Sequence, residues 1–61
     1  MNLDKMYYYL KEAYEKNKIF DMIVTKKELT MIDTLQEQGK LEYIGPYHEN
    51  VGVYITIILV K

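Results

Sequence analysis

The most regular pattern in this chain is an apolar stripe near its middle. Leu29, Ile32 and Leu35 recur every three residues, with Met31 beside them, and the positions around them are mostly polar. Apolar residues at this spacing lie on one face of a helix. The pattern therefore predicts an amphipathic helix that packs against a core.

Residues typical of helix ends flank this stripe. Thr25 and Glu28 have the spacing of a capping box, in which the threonine hydroxyl and the glutamate carboxylate each accept a free backbone N–H. Gly39 follows the stripe, and glycine commonly ends a helix because it adopts a left-handed conformation easily. We expect the helix to lie between Thr25 and Gly39.

A second helical pattern occupies the beginning of the chain and predicts a helix that is capped by Asn2 or Asp4 and ends near Asn17. Its apolar positions are Leu3, Met6, Tyr7, Leu10 and Tyr14. Three tyrosines stand in succession at positions 7–9. Consecutive helix residues are about 100° apart, so at least one of these tyrosines should be exposed or docked on a partner.

The other apolar segments predict strands. Residues 19–24 form a short apolar run, interrupted by Asp21, that ends before the Thr25 cap. Apolar residues alternate with polar ones from position 41, and the pair Gly45-Pro46 predicts a turn that residues 48–50 extend as a polar loop.

Residues 51–60 predict the longest strand. Alternation places Val53, Ile55, Ile57 and Leu59 on one face and Tyr54, Thr56, Ile58 and Val60 on the other. Because both faces become apolar towards the end, we expect this strand to be covered on both sides or to meet a partner. The element order predicts one two-layer α+β domain over residues 1–61, with two helices packed on one face of a three-stranded sheet.

Composition narrows the chemistry. The chain has 61 residues, no cysteine, serine or arginine, a single histidine and a formal net charge of −1. Serine and cysteine nucleophiles, disulfides and thiolate metal sites are therefore excluded. His48 stands in the predicted loop beside one glutamate, which is too little for a metal or catalytic site. We expect no catalytic, metal or cofactor-binding residues.

The basic residues are all lysines, and the amino-acid usage is typical of an AT-rich gene. The longest apolar run is far shorter than the roughly 20 residues that span a membrane, so no membrane association is expected. Lys26 and Lys27 occupy the first turn of the central helix, where the helix dipole favours an anion. Lys11 lies in the second half of the first predicted helix, and Lys18 follows the end of that helix. Phosphate contact and simple solvation both account for these lysines.

Several of these features also match the motif of a known family, with no gap from Asp4 to Gly39. An aspartate opens the first helix, a methionine stands near the end of the first strand, and threonine and lysine begin the second helix. The matching residues are Asp4, Met22, Thr25, Lys26, Leu35, Gly39, Leu41, Ile55, Ile57, Leu59, Val60 and Lys61. In these positions the chain resembles the N-terminal half of the bacterial-type, universal small-subunit ribosomal protein eight family.

The chain also departs from that family. Ile23 replaces the proline that follows the methionine, and Leu10 and Lys11 replace the usual arginine and asparagine. The chain is not basic, and the second domain of the family, which carries its serine-rich RNA-recognition loop, has no counterpart here.

The resemblance implies a structural role without catalysis in a small ribosomal subunit, with ribosomal RNA and neighbouring subunit proteins as partners and no small-molecule substrate. AT-rich usage and the missing half favour the mitochondrion, with the cytoplasm as the alternative. The resemblance makes Lys11 and Lys26 RNA-contact candidates. Charge alone adds Lys18 and Lys27, and Tyr8 is a candidate for base stacking.

Two other hypotheses remain open. The first is a small protein-binding module, such as a phage-encoded inhibitor, that uses the tyrosine cluster and the last strand. The second is a minimal winged-helix DNA binder with residues 25–39 as the reading helix and residues 41–60 as the wing, although Asp33 and Glu37 would oppose phosphate. An enzyme ranks below both because no set of residues forms a plausible site.

Overall fold

A computed structural model describes residues 2–61. The elements are α1 (Leu3–Asn17), β1 (Phe20–Val24), α2 (Lys26–Glu37), β2 (Leu41–Glu49) and β3 (Gly52–Val60). The three strands form one sheet in the order β1-β3-β2, with β3 antiparallel to both neighbours. The predicted α+β class and the order of elements are confirmed.

The last strand of the fold occupies the centre of the sheet. Since β1 and β2 both run antiparallel to β3, they are parallel to each other, and α2 provides the crossover between them. Both helices and all three strands contribute to a single core, whose buried members are Met6, Leu10, Val24, Ile32, Leu35, Leu41, Ile55, Ile57 and Val60. The helices therefore cover one face of the sheet, here called the inner face.

Local sequence determines α2 as predicted. The Thr25 hydroxyl accepts the Glu28 N–H at 3.1 Å, and a Glu28 carboxylate oxygen accepts the Thr25 N–H at 2.8 Å. Ile32 and Leu35 are fully buried on the side that faces the sheet. Gly39, just beyond the helix, has a φ of 76°, which glycine adopts without the steric cost that other residues incur.

The first helix also has the predicted ends. The Asn2 side chain accepts the Lys5 N–H at 2.8 Å, which identifies Asn2 as the N-cap residue. Met6 and Leu10 are buried in the core. The three consecutive tyrosines differ in exposure, as helix geometry requires. Tyr7 is half-buried, whereas Tyr8 and Tyr9 are exposed.

The prediction of a turn at Gly45-Pro46 is wrong. β2 continues through this pair to Glu49, and the chain reverses at residues 50–51 instead. The pairing of β2 with β3 shifts between Ile44 and Tyr47, and the Gly45–Pro46 peptide bond is cis. An edge strand tolerates this irregularity because a proline there need not donate to the ladder, and Gly45 accommodates a φ of 124°.

The predicted faces of the last strand are also wrong beyond Ile57. Tyr43 pairs with Ile57 and Glu42 pairs with Leu59, so Ile58 is an extra residue on β3. A bulge of this kind shifts the alternation by one position. Val60 therefore enters the core, whereas Leu59 is only partly buried.

The opposite face of the sheet, here called the outer face, remains open within residues 2–61. Ile23, Ile44 and Tyr47 are among the exposed large hydrophobic residues, and the Tyr47 ring stacks on the Tyr54 ring. No element within residues 2–61 covers this face, so the alternative in which the last strand is covered on both sides is not realised, and contact with a partner stays a prediction.

Candidate nucleic-acid interface

Tyr7 connects α1 to two segments that are distant from it in sequence, the one before β2 and the one after β3. Its hydroxyl donates a hydrogen bond to the carbonyl oxygen of Lys61, which is 54 residues away in sequence. The Lys61 N–H in turn donates to the Lys40 carbonyl oxygen at 2.8 Å. These two bonds hold the segment before β2 and the segment after β3 against the first helix.

Two lysine ammonium groups lie against the same tyrosine ring. The Lys11 Nζ is 5.7 Å from the centroid of the Tyr7 ring, and the Lys40 Nζ is 5.3 Å from it. Both distances are within the range of a cation–π interaction, which restrains a lysine side chain without neutralising its charge. We call Tyr7, Tyr8, Lys11, Lys40 and Lys61 the Tyr7 cluster.

Tyr8 supplies the exposed aromatic surface of the cluster. Its ring centroid is 5.4 Å from that of Tyr7, with an angle of 58° between the ring planes. Its side chain is 67% exposed. A tyrosine that is held by a neighbouring ring and remains open to solvent can stack on a nucleic-acid base with little loss of conformational entropy.

The positive charge of the Tyr7 cluster is not compensated by ion pairs. Within residues 2–61 the one ion pair joins Lys16 to Glu12 at 3.7 Å, on exposed side chains elsewhere along α1. The ammonium groups of Lys11 and Lys40 therefore place two positive charges beside the Tyr7 ring, on a chain whose formal net charge is −1.

Lys18 extends this surface along the helix. Tyr7, Lys11, Tyr14 and Lys18 have the spacing of residues on one side of a helix, and Lys18 directly follows the end of α1. The Lys18 Nζ lies 5.7 Å from the Tyr14 ring centroid, which repeats the contact between Lys11 and Tyr7. Alternating tyrosine and lysine side chains thus form a stripe along α1.

Lys26 and Lys27 lie elsewhere, in the first turn of α2. Val24, just before them, pairs with Val53, whereas Leu41, just after Lys40, pairs with Val60. Val53 and Val60 are separated by about 23 Å along β3 at the usual rise per strand residue. The structure therefore brings Lys11 and Tyr8 together, places Lys18 on the same side of α1, and leaves Lys26 and Lys27 near the other end of the sheet.

Sequence analysis did not identify Lys40 and Lys61 as site residues. Neither belongs to a local motif, since Lys40 follows the helix-ending glycine and Lys61 follows the last strand. They meet Tyr7 only through the pairing of β2 with β3, which places residues 41 and 60 side by side. A correct register would have been needed to predict this contact.

The described residues offer little catalytic chemistry. No group of three or more potential metal ligands from His, Cys, Asp and Glu occurs within residues 2–61. His48 is exposed on β2. Burial, together with the hydrogen bond to the Asp33 carboxylate and its negative charge, raises the pKa of Tyr43 to about 12. This contact fastens α2 to β2.

No known protein-family model matches the chain, and no curated protein or solved structure is significantly similar to it. No helix within residues 2–61 has the length and apolar character needed to cross a membrane.

Proposed function

We propose that this protein is a structural, non-catalytic RNA-binding component of a small ribosomal subunit, most specifically a mitochondrial one. The observation that carries the proposal is the Tyr7 cluster, in which two unpaired lysines lie against one tyrosine ring beside a second, exposed tyrosine. Ammonium groups contact phosphates, and an exposed aromatic ring stacks on an unpaired base.

The stripe on α1 suits an RNA backbone better than a single phosphate. Lys40 and Lys11 surround Tyr7, and Lys18 lies about two helical turns farther along the same side. A basic surface of this length can contact successive phosphates of one strand. Because lysine lacks the bidentate geometry of arginine, these contacts position the RNA without specifying its sequence.

The assignment to a small ribosomal subunit rests on the resemblance to the ribosomal protein eight family. The confirmed order of elements agrees with the fold that this resemblance implies. Lysine contacts that position the RNA backbone without specifying its sequence suit a structural role, in which surrounding RNA and neighbouring proteins determine the location of the protein.

The RNA-binding proposal is tested by fluorescence anisotropy with a labelled stem-loop RNA of about 30 nucleotides, titrated at several salt concentrations. We expect Lys11→Gln combined with Lys40→Gln to weaken binding at least tenfold at low salt. The slope of log affinity against log salt should fall by about 1.5, since each lost phosphate contact contributes about 0.7–0.9.

The matched control is Lys26→Gln combined with Lys27→Gln, which changes the net charge by the same amount at the other end of the sheet. This control should alter affinity less than threefold. A larger loss in the control than in the Lys11 and Lys40 variant would contradict the Tyr7 cluster and transfer the interface to the first turn of α2.

The ribosomal assignment is tested by sucrose-gradient sedimentation of the tagged protein from mitochondrial and whole-cell lysates, at moderate and high salt. Co-migration with the small ribosomal subunit is the expected result. A protein that stays at the top of both gradients while still binding RNA would overturn the ribosomal assignment and leave RNA binding in place.

A second candidate function, a protein-binding module, is favoured by a different observation. The outer face of the sheet exposes apolar side chains that no element within residues 2–61 covers. Salt dependence distinguishes the two functions, because phosphate contact weakens steeply as salt rises, whereas apolar burial does not.

A further inference from the structure

The outer face of the sheet has an apolar centre that the fold does not need to bury. Ile23 on the edge strand β1 is 64% exposed and Ile44 on β2 is 48% exposed. Tyr47 and Tyr54 pair across β2 and β3 between them, with ring centroids 5.1 Å apart and an angle of 28° between the rings. The stacked rings form a rigid platform, so little entropy would be lost if a partner covered them.

A groove continues this apolar surface towards the turn between β2 and β3. Ile23, Val51 and Tyr54 line it together with the carboxylates of Asp21 and Glu49. Val51 is highly exposed at the turn, and its neighbour Gly52 has a φ of 136°, which favours glycine. An elongated segment of a partner could therefore lie across the sheet and against the turn.

Carboxylates surround the apolar centre. The strands contain three charged side chains, Asp21, Glu42 and Glu49, and all three are acidic. Asp21 pairs with Thr56 across the strands and accepts the Thr56 hydroxyl at 2.6 Å, which orients the carboxylate on the outer face. Glu42 lies between the inward-facing residues Leu41 and Tyr43, so alternation places it on the outer face as well.

This charge pattern decides between classes of occupant. RNA would bring phosphates to strands whose charged side chains are all carboxylates. A second copy docked face to face would bring its own carboxylates opposite the first set, which is unfavourable. A partner whose apolar residues are flanked by basic ones would bury the exposed apolar side chains and place positive charges beside the surrounding carboxylates.

We infer that the outer face is a docking site for a lysine- or arginine-rich amphipathic segment of a partner protein, with its apolar side on Ile23, Ile44 and Tyr54. The inference specifies the partner class of the protein-binding function and rests on that function, independently of RNA binding by the Tyr7 cluster. Apolar contact supplies most of the affinity, and the acidic rim selects the charge of the partner.

The test uses a synthetic amphipathic helix of about 18 residues with leucines on one side and lysines on the other. A second peptide carries glutamates in place of the lysines, and a third has the first composition in scrambled order. Calorimetry should show binding of the first peptide at least tenfold tighter than binding of either other peptide. Amide NMR shifts should be confined to residues around Ile23, Ile44 and Tyr54.

Two matched pairs of variants distinguish the effect of the carboxylates on the outer face from the effect of the net charge of the protein. Glu42→Gln combined with Glu49→Gln should weaken binding of the lysine peptide about tenfold at low salt. Glu12→Gln combined with Glu15→Gln makes the same change of net charge on α1 and should alter binding less than twofold. Ile23→Thr combined with Ile44→Thr should weaken binding at least tenfold with the charge unchanged.

Several results would overturn the inference. Equal losses from the two pairs of glutamate variants would show that net charge alone attracts the peptide. Amide shifts on α1 or α2 instead of on the sheet would place the peptide on a different surface. A dimer that sedimentation detects and that Ile23→Thr disperses would identify a second copy as the occupant. If the protein binds the stem-loop RNA but none of the peptides, the RNA-binding proposal stands and this inference is wrong.

Discussion

The inner and outer faces of the sheet differ in how far their side chains are buried and contacted by the rest of the protein. On the inner face Ile55 and Ile57 are fully buried, and the Tyr43 hydroxyl donates to the Asp33 carboxylate of α2. On the outer face Ile23 and Ile44 remain about half exposed or more. One face therefore forms the core, and we expect that the apolar residues of the other face can be changed at little cost to stability.

The strongest test of this difference is one substitution made on both faces. Ile55→Ala should lower the free energy of unfolding by about 2–5 kcal/mol, because it removes buried methyl groups and leaves a cavity in the core. Ile44→Ala should change it by less than about 0.5 kcal/mol, as is usual for surface sites. Urea unfolding followed by circular dichroism measures both changes. Equal losses would mean that the outer face also stabilises the fold.

Alkaline pH offers a second way to test the inner face. Unfolded tyrosine ionises near pH 10, whereas burial and Asp33 raise the pKa of Tyr43 to about 12 in the folded protein. The stabilisation from neutral Tyr43 is therefore complete below about pH 10 and is lost as the pH rises through about 12. We expect a loss of order 1–2 kcal/mol after allowance for partial exposure to solvent.

The measurement compares unfolding of the wild-type protein and Tyr43→Phe between pH 8 and pH 12. The two proteins share every other ionisable group, so the difference between the two curves isolates Tyr43. This difference should shrink with rising pH. A difference that stays constant over the whole range would contradict the role of the Tyr43 ionisation.

Of the two helices that cover the inner face, α2 depends on its N-cap residue Thr25. Thr25→Ala removes the hydroxyl that accepts the Glu28 N–H and should cost about 1 kcal/mol. Thr25→Ser keeps that acceptor and should cost distinctly less. Thermal unfolding of both variants tests the prediction, and an equal loss in the two would show that the threonine methyl group rather than the cap stabilises α2.

The smallest effect is expected from the hydrogen bond on the outer face. Thr56→Val removes the hydroxyl that donates to Asp21 and should change the free energy of unfolding by less than about 0.5 kcal/mol, because water can replace the bond. Urea unfolding at neutral pH is sufficient to detect a larger change. A loss of more than about 1 kcal/mol in the free energy of unfolding would show that this hydrogen bond on the outer face also stabilises the fold.

Local patterns predicted those parts of the fold that depend on neighbouring residues. The cap at Thr25, the end of α2 near Gly39 and the exposure of at least one of the three tyrosines all follow from spacing over a few positions. Such features need no knowledge of tertiary contacts. The sequence was therefore sufficient for the helices, the strand order along the chain and the fold class.

Features that depend on strand register could not be predicted in the same way. Alternation alone placed Leu59 inside, but the extra residue at Ile58 brings Val60 into the core. Register also carries Lys40 and Lys61 to Tyr7, which no local motif indicates. Of the candidate site, Lys11 and Tyr8 were thus visible in the sequence, whereas Lys40 and Lys61 required the paired strands.

The central position of β3 has a consequence for the order of events during synthesis. β1 and β2 emerge from the ribosome first, but they are parallel and pair with β3 rather than with each other. Until residues 52–60 have emerged, the nascent chain has helices that can form locally and two strands without their hydrogen-bond partner. At about 5–20 residues per second, β1 waits roughly 2–7 seconds and β2 roughly 0.5–2 seconds for residues 52–60 to be added, and their apolar side chains stay uncovered during that time. A ribosome that stalls before Gly52 would therefore present chaperones with a chain that has no sheet.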